Sequence, residues 1–520
     1  MQSRPAFLIP LPIILALLVL VSLLVSVPAF PATFVVDPSG NDADPGDSTA
    51  PWRTIQHAAT VASAGDTVVI RAGRYSESVS LLSSGAAGNP IVFTADPGAV
   101  LVSPNPTASM EAFNVAPGVG FITLSGIEAT GGYAETIFLR SGAHDIQIDG
   151  CNLHDDRAGI IMADAFNVTV DNCALHNNSH LGMRLVGTTH DVLVSDTASF
   201  ANGKPSMCSA KVDGFASSSG VSNVTFLRTR AYNNGGDGFD LKGAQTIFDQ
   251  VSSFGNACTG LKIWQSASVN GCLVAQNGGV GVAMGSLSGG STGDITNCTV
   301  AANRSVQINL HGPSNPGTVF AVNLLNNIVA GDFKAVQYGS TVALSESHNI
   351  FYRPNAYTIV LSPSSGHRFS GHDVNVGLWS QVSGKGEGTL SVDPQFVDSA
   401  HGDFHVSPNS AAVGRGQSQS GPVNIGMYQD PAGPANHTPW ADAGRSPTGR
   451  TNRAVLFSAA GSVDPDGDAL TYSWDFGDGT APVLGFQVLH AFSAPKTYSV
   501  TLTVSDGSLS NTKTIQAFIH

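Results

Sequence analysis

Gly159-Ile-Ile-Met162, Gly182-Met-Arg-Leu185, Gly214-Phe-Ala-Ser217, Gly238-Phe-Asp-Leu241, Gly260-Leu-Lys-Ile263 and Gly281-Val-Ala-Met284 repeat one pattern about every two dozen residues. A fixed period of this length marks a solenoid, in which no repeat buries its apolar face alone and each stacks on the last. Alternation within each copy has period two, which predicts strands rather than helices. A repeat of about 22 residues with several short strands is the size of one turn of a parallel β-helix.

A second column fixes the register. Cys151, Cys173, Thr197, Thr229, Val251, Cys272 and Cys298 open similar segments, and five residues after each stands Asp156, Asn178, Asn202, Asn234, Asn256, Asn277 or Asn303. Asn tolerates tight-turn backbone and hydrogen-bonds through its amide, so one per coil predicts an asparagine ladder at a turn. The cysteines of this phase alternate with Thr and Val and read as small inward-facing core residues. Cys208 and Cys258 fall out of phase and are the expected disulfide pair.

The 520 residues suffice for more than one domain. With 58 Gly and 12% charged residues, the composition suits a turn-rich β protein and argues against a coiled coil or a disordered acidic chain. A net charge of −14 argues against a nucleic-acid partner. Lys204, Lys211, Lys242 and Lys262, half of the chain's eight lysines, nevertheless cluster with Arg228 and Arg230, which points to an anionic ligand or a solvated face. After Arg4 no charge occurs until Asp37, and Ile13 to Val27 is continuously apolar, so residues 1–32 read as a secretory signal peptide. A secreted or cell-surface protein is expected, with an uncleaved N-terminal anchor as the alternative.

Residues 33–430 are assigned to the β-helix. The piece Pro51 to Ala62 predicts a short helix with Ile55, Ala58, Ala59 and Ala62 on one face, suited to capping the open first coil. Pro431, Gly433, Pro434 and Pro439 mark a linker over 431–440. From 441 to 520 strands alternate with Asp/Gly turns, as in Leu470-Thr-Tyr-Ser-Trp-Asp-Phe-Gly-Asp-Gly479 and Tyr498 to Asp506, which suits a β-sandwich. This segment closely resembles a PKD domain, an immunoglobulin-like module often appended to secreted carbohydrate-active enzymes. The run Asp464, Asp466, Asp468 invites a calcium loop, but Ala469 stands where such a loop requires glycine.

The repeat also places side chains. Positions one and three after each glycine point inward, while the position before it and those two and four after it face outward. Adjacent coils lie about 4.8 Å apart, so Asp213 and Asp237 should be neighbours, and Lys262 should stand directly above Asp240. Three converging carboxylates repel one another unless a cation lies among them, and oxygen ligands suit Ca²⁺. For any one of these residues a surface ion pair is the plainer reading. The set, in phase and beside the ladder's insertion at Gly203 to Val212, reads better as a site.

Asp213-Gly-Phe-Ala216, Asn233-Asn-Gly-Gly-Asp-Gly-Phe-Asp240 and Gly260-Leu-Lys262 resemble the calcium and base motifs of family-nine pectate lyases. The resemblance implies an all-β, right-handed parallel β-helix followed by the immunoglobulin-like sandwich. It further implies Asp213, Asp237 and Asp240 as Ca²⁺ ligands, and Lys262 as the catalytic base. Gly236 replaces the first aspartate of the family's acidic pair, so one carboxylate is missing. The chemistry expected is β-elimination on an acidic, uronate-containing polysaccharide by a monomer. Arg184, Arg228, Arg230 and Lys242 would hold substrate carboxylates, and Trp264 would stack on a sugar ring. A non-catalytic carbohydrate-binding or surface β-helix is the alternative. A uronate epimerase would share the proton abstraction, and a glycoside hydrolase, which needs acids placed across the scissile bond, fits least.

Overall fold

The computed structural model describes residues 31–520 except 108, 204–207, 209–211, 287–289, 315–316, 354–358, 361–367, 401, 420, 430–437, 440, 445, 460–461, 463 and 465–469. The signal-peptide reading and most of the linker therefore lie outside the described residues, as do Asp466 and Asp468. No helix among the described residues is long and apolar enough to cross a membrane.

Each coil contributes one strand to each of three sheets, which hold 13, 12 and 13 strands among the described residues. Within one coil, Ala244–Asp249 lies in the first sheet, Ser252–Phe254 in the second and Leu261–Ile263 in the third. Strands of successive coils pair in parallel, as in Phe239–Leu261, Asp240–Lys262 and Leu241–Ile263. The corner between the first and second sheets is a single left-handed residue in each coil: Asn172, Asp196, Arg228 and Gln250 have φ of 50°, 46°, 46° and 55°. A second left-handed column, Asn177, Ala201, Asn233 and Gln276, turns the chain out of the second sheet.

The asparagine ladder follows that second corner. The backbone N–H of Asn202 donates to Asn234 Oδ1 at 3.2 Å, that of Asn234 to Asn256 Oδ1 at 3.1 Å, and that of Asn256 to Asn277 Oδ1 at 3.1 Å. Each amide also donates to the carbonyl of a preceding coil, as Asn256 Nδ2 does to Ala231 O at 2.9 Å. The buried ladder amides are thereby paired, which offsets the desolvation cost of burying them. The ladder ends where Gln307 Oε1 accepts from Asn303 N at 3.1 Å. Inside the stack run Phe215, Phe226, Phe239 and Phe248, all fully buried. Cys151, Cys173, Cys272 and Cys298 are free and buried as expected, and Cys208 is bonded to Cys258.

Both ends of the stack are covered. At the N-terminal end the helix Ile55–Val61 buries Ile55, Ala58 and Ala59, and Thr54 caps it by accepting from His57 N. The far end differs from the expectation of coils up to about residue 430. Coils end with the strand Ile359–Val360, and Gly371–Asn375 and Leu378–Ser383 form two short helices that bury Trp379. Trp379 Nε1 donates to Glu346 Oε1 at 2.6 Å. Residues 396–428 then fold back over the second sheet, where Val406 and Ile425 pack with Ile328 and Ile350.

The C-terminal unit is the expected sandwich. A five-stranded sheet and the pair Ala454–Ser458 with Gln487–Ala491 enclose Trp474, Phe457, Phe476, Phe492 and Leu502. Trp474 Nε1 donates to Gly485 O at 3.0 Å, satisfying the one polar atom of the largest core side chain.

Candidate active site

The third sheet carries the predicted constellation on its outer face. Its register places Arg184 beside Ala216, Ala216 beside Asp240, Asp240 beside Lys262 and Lys262 beside Ala283. Phe239, Leu241, Leu261 and Ile263 point into the core, which turns Asp240 and Lys262 outward on the alternate positions.

The three aspartates lie on adjacent rungs of one face, but more deeply than the strand alternation predicts. Asp213, Asp237 and Asp240 are 3%, 4% and 6% exposed. Asp213 and Asp237 sit at the entry to the third sheet, and each accepts a backbone N–H from the next coil: Asp237 N to Asp213 Oδ1 and Thr259 N to Asp237 Oδ1, both at 2.8 Å. They thus extend the turn's ladder while keeping one oxygen each for other duties. Lys262 Nζ bridges the remaining pair, 3.0 Å from Asp237 Oδ2 and 3.3 Å from Asp240 Oδ2. Lys242 Nζ lies 3.2 Å from the same Asp240 oxygen.

Burial pushes the Asp213 carboxyl up to about 7; the Asp237 N–H opposes this, and the charges of Asp237 and Asp240 add to it. Burial pulls Lys262 down, but the charges and hydrogen bonds of Asp237 and Asp240 outweigh it and hold the ammonium above its ordinary value. As arranged, Lys262 is a bound cation.

Among the described residues no three Asp, Glu, His or Cys side chains are already gathered as a metal cage, and the ammonium groups of Lys262 and Lys242 are the cations of the cluster. The donor set nonetheless suits a hard cation. It consists of carboxylate oxygens on a rigid face, and Asp240 Oδ1 is buried without a hydrogen-bond partner among the described residues. At the position of the missing acid, Gly236 is buried, and its carbonyl accepts the N–H of the disulfide-bonded Cys258 at 3.0 Å.

A buried carboxyl with a raised pKa favours the folded state while protonated, and that contribution is lost as pH rises from about 4 through about 7. Its full loss is on the order of 4 kcal/mol. Asp213→Asn keeps the acceptor for Asp237 N and removes the ionisation. Without added metal, its melting temperature should match the wild type near pH 4 and exceed it by several degrees at pH 8. Parallel thermal scans across that range check this, and a constant difference between the two proteins would reject it.

The substrate-binding assignments divide. Arg184 is exposed on the same face, two rungs from Asp240, and makes no hydrogen bond or ion pair with any described residue. Lys242 and Trp264 share the neighbouring outward column. Arg228 and Arg230 do not belong to the site. Arg228 occupies the left-handed corner between the first and second sheets, where its guanidinium grips Asp196 one coil away at 2.7 and 2.6 Å. Arg230 lies on the second sheet, in register with Ala198 and Ser252. Proximity in sequence misled here, because one coil carries its residues around three faces. Residues that the sequence reading did not assign to the site are Ser217, whose Oγ accepts Lys242 N at 3.0 Å, and His311 beside Trp264. His311 escaped because its coil has Gln307 in place of the repeat's glycine.

A family model for the Pel9A-like right-handed β-helix region matches residues 34–337, and a PKD-domain model matches residues 436–519. The chain belongs to the Pel9A-like right-handed β-helix family and carries a C-terminal PKD domain. Pectate lyase PEL9 of Emericella nidulans is 29% identical over 224 residues, which are 41% of this chain and 51% of that protein. The uncharacterised YwoF of Bacillus subtilis is 31% identical over 160 residues, 30% of this chain and 29% of that protein. The chain thus matches about half the length of the first of these relatives and under a third of the second. Of solved structures, pectate lyase Pel9A aligns with a TM-score of 0.44 at 15% identity, over 77% of this chain and 97% of that one.

Proposed function

We propose that the protein is an exported, Ca²⁺-dependent polysaccharide lyase that cleaves an acidic, uronate-containing, pectate-like polysaccharide by β-elimination. The observation that carries this reading is the position of Lys262: an amine on an open, rigid sheet face, held between two buried aspartates. Asp213, Asp237 and Asp240 would hold the metal. Bound there, Ca²⁺ supplies positive charge that neutralises a uronate carboxylate and makes its C5 proton more acidic.

The chain's own groups do the rest. Arg184 and Lys242 bind carboxylates of neighbouring sugars and set the polymer's register along the stack. A cation held by Asp237 and Asp240 would compete with Lys262 for their charge and lower its pKa, so metal and base would be coupled. Neutral Lys262 Nζ takes the C5 proton, the C4–C5 double bond forms as the C4–O bond breaks, and the leaving oxygen takes a proton from water, leaving an unsaturated uronide. The sequence from Ile13 to Val27 supports export. A non-catalytic carbohydrate-binding role is the second reading, favoured by Gly236 and by the use of Asp213 and Asp237 as backbone acceptors.

Incubation with polygalacturonate and Ca²⁺ should yield ultraviolet-absorbing unsaturated ends, and chelation should abolish them. Reducing ends without that absorbance would indicate a hydrolase. Absence of product from a panel of uronate polymers would favour the binding role.

A further inference from the structure

The outer face of the third sheet is chemically lopsided about Lys262. On the N-terminal side stand Arg184 and Lys242. On the other side, Ala283 and then Asn309 continue the Lys262 column, while Gly285 and then His311 continue the Trp264 column. Arg304, in the turn before the second of these rungs, lines a separate cavity with Gln276, Gly278 and Ser399, and Lys334, one coil further on, is held by Gln337 Oε1 at 2.9 Å, three rungs beyond Lys262. The strand positions of the two rungs after Lys262 therefore offer no cation among the described residues.

They offer an aromatic wall instead. Trp264 leans across Gly285: a Cβ there would lie 3.1 Å from Cε3 and Cζ3 of the indole and 3.2 Å from the Cβ of His311. The glycine is what lets the indole span the next rung. Its ring centroid is 6.0 Å from that of His311, with the planes tilted by 32°. The indole remains partly exposed, and its Nε1–H has no hydrogen-bond partner among the described residues. His311 keeps exposed surface, and desolvation holds its imidazole below the ordinary value, so it is neutral near pH 7 and able to donate or accept.

We infer that the rungs beyond Lys262 form a subsite for a neutral sugar ring, with Trp264 stacking on its face and His311 and Asn309 reaching its hydroxyls. The preferred polymer then places a neutral sugar next to the uronate that is attacked. A carboxylate bound at these rungs would lose hydration without meeting a cation, which penalises a uronate there. The C–H-rich face of a neutral pyranose loses nothing against the indole. This inference rests on the proposed lyase activity and names the sugar class that its second subsite accepts.

The test compares wild type, Trp264→Ala and Trp264→Phe on polygalacturonate and on a pectic polymer alternating galacturonate with a neutral deoxyhexose. Wild type should favour the alternating polymer about tenfold in kcat/KM, the size expected of one stacking contact. Trp264→Ala should lose that preference through KM with kcat nearly kept, and Trp264→Phe should restore part of it. Equal or better turnover of the homopolymer, unaffected by Trp264→Ala, would overturn the subsite and leave the lyase reading standing. Indole fluorescence in Lys262→Ala, titrated with alternating oligosaccharides, separates the two ideas further. Quenching without any wild-type turnover would remove the lyase and keep the subsite; neither quenching nor turnover would remove both.

Discussion

Lys262→Arg is expected to abolish most turnover while leaving the fold intact, a loss of about 10²–10⁴ in kcat if Lys262 is the general base. Guanidinium stays protonated at any working pH, yet it retains the charge that Asp237 and Asp240 require. Arginine is therefore the cleaner probe. Lys262→Ala removes the base equally well, but it also strips the counter-ion from two carboxylates whose side chains are only 5% and 8% exposed. An uncompensated buried charge is costly, so the alanine variant should lose stability as well as activity. Lys242 remains on Asp240 and limits the damage to the Asp237 side. Kinetics of unsaturated-product formation, paired with denaturation curves for both variants, separate the effects. Substantial activity in Lys262→Arg would sink the base assignment, because only a charge anchor survives that exchange.

Period and phase were enough to read the solenoid. Gly238, Phe239 and Asp240 announce a bend, an inward side chain and an outward one, and Asn234 five residues after Thr229 fixes where the coil turns. The same logic stacked Lys262 over Asp240 before any coordinates. It failed where geometry is not periodic in the strand sense. Asp213 and Asp237 stand before the glycine, in the turn, so the outward–inward alternation that governs Asp240 does not apply to them, and they are buried as backbone acceptors. Arg228 shows a different limit: its left-handed corner conformation is shared with Asn172, Asp196 and Gln250, residues with no common side-chain chemistry. The aromatic stack His154, His176, Phe200, Tyr232 and Phe254 was legible in principle. Each stands two residues before a ladder position, and neighbouring rings lie 4.7–5.1 Å apart in the structure. The far end was opaque because it is closed by long-range contacts with no repeat behind them, among them Trp379 and Thr389 on Glu346.

The coordinates of Lys262 depend on a core column that nothing catalytic touches. Phe239 is fully buried between Gly238 and Asp240. Its ring stacks on Phe215 at 4.8 Å and meets Phe226 and Phe248 edge-on at 5.2 and 5.4 Å. Truncation to alanine should cost about 3–5 kcal/mol, since the transfer term and the cavity term add and hydrogen-bonded strands cannot collapse to fill the space. Phe239→Leu keeps most of the volume and should cost markedly less. The position is also mechanically informative. Phe239 alternates with Asp240 on one three-residue strand, so a cavity at one shifts the other, and activity should fall even where Phe239→Ala remains folded. Phe254→Ala, at the partly exposed end of the outer stack, should cost little in either respect. Denaturant midpoints measured beside kcat/KM decide the matter. If Phe239→Ala and Phe254→Ala prove equally mild, the inner column does not support the site, and the rigidity assigned to this face has another source.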